Sequence, residues 1–157
     1  MNLKRQANAS SSTELKGKFL LDADVFLSYI GGDELSEHSE KVVKLIADGI
    51  LEAFVSSMLY DDVISALRSK AMDLRDIMQI LVAISSIPHK PLPVTPQIAI
   101  SALSLYMQHG GSRRLHYFDT FHVSTAKHHG LSMVTSDNYI IEQQKSMGIT
   151  TYDLRKL

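Results

Sequence analysis

Four aspartates sit where a carboxylate could do chemistry. Asp22 ends the aliphatic run "FLLD", Asp62 follows the run "ILEAFVSS" by about a turn, Asp119 opens the segment "YFDTFHVSTAKHHG", and Asp137 ends "SMVTSD". In "LLDADVFL" a second acid, Asp24, stands beside Asp22. An ionised carboxylate next to a core is costly unless a helix cap, a cation or a catalytic task compensates it. Two carboxylates about 4 Å apart repel by roughly 4 kcal/mol at an effective dielectric near 20. Three or four gathered at one place therefore call for cations, and hard oxygen donors in that number suit Mg²⁺ or Mn²⁺. Divalent ions held by carboxylates lower the pKa of an attacking water and stabilise a leaving oxygen, which is the chemistry of phosphodiester cleavage. Each acid also has a simpler use, because Asp is a preferred helix cap.

The elements that must position these acids alternate. "FLLD" (19–22) and "ILEAFVSS" (50–57) read as buried strands, "LSMVTSD" as a third and "ITTYDL" as the last. Between them lie helical patterns: Ser36 as cap of "EHSEKVVKLIADG", a helix from near Ser57 to Lys70, and Asp73 capping "LRDIMQILVAISSI". Thr95 and Pro96 open a helix that ends at Gly110-Gly111, Gly130 stops the segment containing Asp119, and "NYIIEQQKSMG" is a short helix. "PHKPLPVTP" holds at most a very short strand. The helix 74–87 is apolar nearly all round, so it is expected to be deeply buried or to sit in an oligomer interface, which motivates a homodimer. Strands alternating with helices imply an α/β fold of three layers, helices on both faces of a central parallel sheet of four or five short strands. Ligands in that architecture bind outside the carboxyl ends of the strands, where all these acids could converge.

The 157 residues suit one domain. Residues 1–18 carry a net charge of +3 and the remainder −4, so a flexible basic leader (1–18) is expected to precede a single domain (19–157). The chain has no cysteine, which excludes disulfides and thiolate metal sites. It has no apolar run long enough to span a bilayer and no signal-peptide pattern, so no membrane role and a cytoplasmic location are expected. Arg113 and Arg114 offer phosphate contacts, against the alternative of a solvated loop. His116, His122 and His128 recur every six residues. On a helix that step rotates each by about 240° from the last, so they share no face and make no zinc site.

"FLLDADVFL", "FVSSMLYDDVISAL" and "YFDTFHVSTAKHHGLSMVTSDNYI" resemble the motifs of the PIN-domain ribonucleases, the family that includes the VapC toxins of prokaryotic toxin–antitoxin pairs. The resemblance covers about residues 19–155 and implies a metal-dependent endoribonuclease. Asp22, Asp62, Asp119 and Asp137 would be its catalytic acids and metal ligands, with Mg²⁺ or Mn²⁺ as cofactor. Asp24, Ser57, Thr135 and Ser136 would join Arg113 and Arg114 near the substrate. The implied partners are RNA, preferably single-stranded, and an antitoxin protein. The second acid is usually Glu in the family; here it is Asp, and Asp61 rivals Asp62 for the role. Two other readings stand beside this one. "LLDADV" is similar to the opening Asp-x-Asp of haloacid-dehalogenase-like phosphatases, in which Asp22 would be the nucleophile. The third is a PIN-like scaffold without activity.

Overall fold

The structure is a computed structural model and describes residues 15–157. Five parallel strands, β1 (Gly17–Leu21), β2 (Leu51–Ser56), β3 (Lys90–Leu92), β4 (Ser132–Thr135) and β5 (Thr151–Asp153), form one sheet in the order β3-β2-β1-β4-β5. Seven helices connect them: α1 (Ala23–Gly31), α2 (Ser36–Ala47), α3 (Leu59–Ser69), α4 (Leu74–Ser86), α5 (Pro96–His109), α6 (Tyr117–His129) and α7 (Asn138–Met147). A single 3₁₀ turn, Leu154–Lys156, follows β5.

The central strands bury apolar residues on both faces, Phe19–Leu21 in β1 and Met133–Val134 in β4, because helices cover the sheet on both sides. Phe19 and Leu21 of β1 point into the larger core with Val25, Phe26, Val42, Val55, Leu59 and Val63. Leu20, between them, points to the other side, into a smaller core with Leu115, Val123, Met133, Ile140 and Met147. The three-layer expectation is met, and the sheet has five strands.

β1 stops at Leu21 and α1 begins at Ala23, with Asp22 as the N-cap at the expected strand end. Two expectations need correction. Ser36 does not cap α2; it is the first helical residue, and the Asp33 side chain instead holds the Leu35 N–H at 2.8 Å. The basic leader was expected to reach residue 18, yet β1 starts at Gly17 and Leu15 is already buried; residues 1–14 lie outside the described residues. For α4, the first of the two expected outcomes, deep burial, is not met. Ile77 and Ile84 enter the core, but Leu74, Met78 and Val82 are about two-thirds exposed (66%, 65% and 64%) and form a stripe at four-residue spacing.

The strand order makes the chain reverse direction across β1: β2 and β3 lie on one side of it, β4 and β5 on the other. Such a switch point opens a crevice between the carboxyl ends of the two diverging strands. Here those are β1 and β4, paired in register with Leu21 beside Val134, and the Asp22 N–H continues the ladder to the Val134 carbonyl at 3.1 Å.

Candidate active site

Two groups of side chains occupy this crevice. The inner group is Asp22, Asp62 and His122, with one ligand atom from each within 4.8 Å of the others. Asp22 caps α1 through Oδ1, which accepts the Ala23 N–H at 2.8 Å, and its Oδ2 accepts the Thr135 hydroxyl at 2.6 Å. Thr135 in turn accepts the Asp137 N–H at 3.1 Å, so the end of β4 locks the end of β1. Asp62 stands in the first turn of α3, where its Oδ2 lies 3.0 Å from Nε2 of the fully buried His122. Of the two neighbours, Asp62 lies beside Asp22, whereas Asp61 is exposed and lines a surface groove with Arg68 and Tyr117.

The outer group is His116, Asp119 and Asp137, again with one ligand atom each within 4.8 Å. Asp119, in the first turn of α6, accepts the His116 N–H at 3.2 Å through Oδ2, and His116 Nδ1 lies 3.2 Å from the same oxygen. Asp137 caps α7, its Oδ1 accepting the Ile140 N–H at 2.9 Å. Capping and clustering are therefore not alternatives. Asp62, Asp119 and Asp137 each commit one oxygen to these bonds and keep the other.

The remaining sequence candidates divide. Asp24 accepts both the backbone N–H and the hydroxyl of Ser136 on Oδ2, while its Oδ1 is buried without a partner. Ser57 lies apart from the acids and holds the Val94 N–H at 3.1 Å. Arg114 stacks on the Tyr139 ring and donates to its hydroxyl and to the Gln108 carbonyl, so it ties the loop before α6 to α7. Arg113 adopts a left-handed backbone (φ 60°) in the same loop.

The electrostatics follow from burial. Desolvation pushes Asp22 up to about 6, with the Asp119 charge adding to the rise; His122 and the bonds from Thr135 and Ala23 oppose it. Asp119 is pushed up to about 7, first by burial and then by Asp62 and Asp137, with His122 again opposing. Asp24 is also raised to about 7, by burial and by Asp22. For His122, burial disfavours the imidazolium, but the hydrogen bond to Asp62 and the charges of Asp22 and Asp119 outweigh it, so its pKa rises. Burial leads the three carboxyl rises and neighbouring carboxylates add to them, while the same carboxylates raise His122. The donor set fits a divalent cation, with carboxylate oxygens predominating and two imidazole nitrogens at the margin.

Both histidines escape a reading that compares histidines only with each other. The informative spacing is to Asp119: His122 lies three residues after it on the same helix and His116 three before it.

An α/β switch-point crevice lined by four convergent aspartates defines a class of acid-cluster proteins. The sequence matches the PIN domain family over residues 19–145, and the chain belongs to that family. No curated protein matches the sequence. Among solved structures, the chain is similar to one from VapBC2 of Rickettsia felis bound to a promoter DNA fragment: 14% identity, 87% of this chain and 98% of the other covered, TM-score 0.65. It is similar to one from VapBC-1 of nontypeable Haemophilus influenzae (14% identity, 88% and 99% covered, TM-score 0.60). A third similarity is to VapBC-5 of Mycobacterium tuberculosis (19% identity, 87% and 98% covered, TM-score 0.57). Among the described residues no helix is long and apolar enough to cross a membrane.

Proposed function

We propose that the chain is a metal-dependent endoribonuclease that hydrolyses single-stranded RNA and is held in check by an antitoxin protein. The observation that carries this reading is the convergence of Asp22, Asp62, Asp119 and Asp137, from four different segments, on the crevice beside β1 and β4. These acids would hold Mg²⁺ or Mn²⁺, which activates water and offsets charge developing on the scissile phosphate. The chain's own groups prepare the site. Thr135 fixes the Asp22 carboxylate, His122 steers the shorter arm of Asp62 inward, and Ser136 pins Asp24 behind them. A phosphatase using Asp22 as nucleophile fits less well, since the sequence matches the PIN domain family over residues 19–145. Retention of all four acids argues against an inactive scaffold.

Cleavage of an end-labelled unstructured RNA by the full chain tests the reading. Product is expected with Mn²⁺ or Mg²⁺ and none with chelator. Asp119→Asn, which keeps the shape and removes the charge, is expected to lower the rate by about 10²–10³-fold or more. Cleavage that persists in that variant or in chelator would refute the proposal.

The exposed stripe Leu74, Met78 and Val82 on α4 supports a homodimer, because contiguous exposed apolar surface marks interaction sites. Light scattering at micromolar concentration is expected to give twice the chain mass of 17.5 kDa, and a monomer mass would remove that part. The antitoxin part is supported by the neighbours having been solved as VapBC assemblies. It predicts that a small protein encoded beside this gene co-purifies with the chain and blocks RNA cleavage; free activity in its presence would refute it.

A further inference from the structure

We propose that His116 is itself a ligand of the outer cation position, and that it makes this site choose Mn²⁺ over Mg²⁺. The inference rests on the nuclease reading above and goes beyond its four carboxylates. Three observations carry it. His116 Nδ1 lies 3.2 Å from Asp119 Oδ2, and a carboxylate oxygen of Asp137 completes a set whose members are all within 4.8 Å. The ring is aimed by local geometry, since His116 is the N-cap of α6 and its own N–H bonds the same Asp119 oxygen at 3.2 Å. Finally, the side chain is 71% exposed, so the ring stands open to an ion arriving from solvent.

The other imidazole of the site has a different task. His122 is buried and its Nε2 is committed to Asp62, which leaves it a positioning residue for the inner carboxylate. His116 faces solvent beside Asp119, with its ring open to an arriving ion.

The donor chemistry sets the preference. Mg²⁺ demands oxygen ligands in near-ideal octahedra and keeps several waters. Mn²⁺ lies at the weak end of the divalent transition-metal series, but as a member of that series it gains more from an imidazole than Mg²⁺ does. Two carboxylates and one imidazole at a solvent-facing rim therefore discriminate between the two ions, whereas four carboxylates alone would do so weakly. A contact between His116 and an RNA phosphate is the competing use, and the flanking Asp119 and Asp137 charges oppose an anion at that spot.

Calorimetric titration of the full chain with MnCl₂ and with MgCl₂, in the absence of RNA, tests the proposal. Wild type is expected to bind Mn²⁺ at least about tenfold more tightly than Mg²⁺. His116→Ala, at an exposed position, is expected to weaken Mn²⁺ by about tenfold or more and Mg²⁺ by less than about threefold, because only Mn²⁺ uses the nitrogen. Equal weakening of both ions, or of neither, overturns the proposal. So does an unchanged Mn²⁺ affinity accompanied by a loss of RNA binding, which would assign His116 to phosphate. Failure of the nuclease reading is visible separately: wild type would then bind neither ion, and Asp119→Asn would titrate like wild type.

Discussion

Asp22→Asn is expected to make the cation-free protein more stable at pH 8 and to abolish most of its response to Mn²⁺. Asp22 is buried and its carboxyl is raised to about 6, against 3.8 in the unfolded chain. At pH 8 the folded protein therefore carries a charge it would rather not ionise, at a cost on the order of 3 kcal/mol. Asparagine removes that charge and nearly preserves the shape. Its Oδ1 can still accept one of the two existing bonds, from Ala23 N–H or from the Thr135 hydroxyl, and losing the other costs about 1 kcal/mol. The gain outweighs the loss at pH 8, shrinks to about half near pH 5 and vanishes only below the unfolded value of 3.8. With cation the order inverts. A ligand at 100 times its Kd stabilises the fold by about 2.7 kcal/mol, and the variant lacks the most deeply buried of the four acids. Thermal unfolding of both proteins at pH 8, with chelator and with Mn²⁺, checks this. A variant that is less stable in chelator, or that keeps the full Mn²⁺ shift, would show that Asp22 is a structural cap and nothing more. RNA cleavage by the variant is expected to fall by about 10³-fold, as for other losses of charge stabilisation at a reacting phosphate.

The same residue shows how far the sequence could be read. Strand ends marked by apolar runs, glycine stops and the Thr95-Pro96 start are local signals, and the elements stand close to where those signals put them. The parallel order followed from alternation alone, and with it the rule that sends Asp22 and Asp137 to the same edge. What the sequence could not carry was the division of labour between the two oxygens of one carboxylate. Capping and ligation looked like rival uses of Asp22 and Asp137, yet both aspartates cap a helix from inside the cluster. The helix start is what aims the carboxylate, so the bland use enables the chemical one. The choice of Asp62 over Asp61 likewise depended on a partner 60 residues away, His122, which no local pattern reveals. The histidines were set aside because they share no face with one another; His116 pairs with Asp119 three residues on, and His122 with the distant Asp62. For α4 the sequence left two outcomes open. An all-round apolar helix can be buried by its own chain or by another, and only the positions of Leu74, Met78 and Val82 on the finished surface distinguish the two.

Stability of the cation-free protein is expected to fall as pH rises from about 4.5 to 8, the reverse of the usual carboxylate trend, and Mn²⁺ is expected to flatten that fall. Asp24 and Asp119 are raised to about 7 and Asp22 to about 6, all above the 3.8 of the unfolded chain. A group with a raised folded pKa holds its proton in the fold after the unfolded chain has released it. Its contribution is thus complete below about 4 and is lost as pH climbs through the folded value. His122, whose pKa is also raised, loses its contribution in the same direction. Glu52 and Asp153 are shifted the other way, but lowered carboxylates act only below their unfolded values of 4.5 and 3.8, outside this window. Each proton retained by the fold tilts stability by about 1.4 kcal/mol per pH unit, so three carboxylates acting partly together remove several kcal/mol between pH 5 and 8. A divalent ion supplies the positive charge that the protons supplied, and it binds more tightly as they leave. Urea midpoints at pH 5, 6.5 and 8, each with chelator and with Mn²⁺, measure both slopes. A cation-free midpoint that rises across that range would mean the aspartates are neutralised by the protein itself, and the case for a cation in the crevice would go with it.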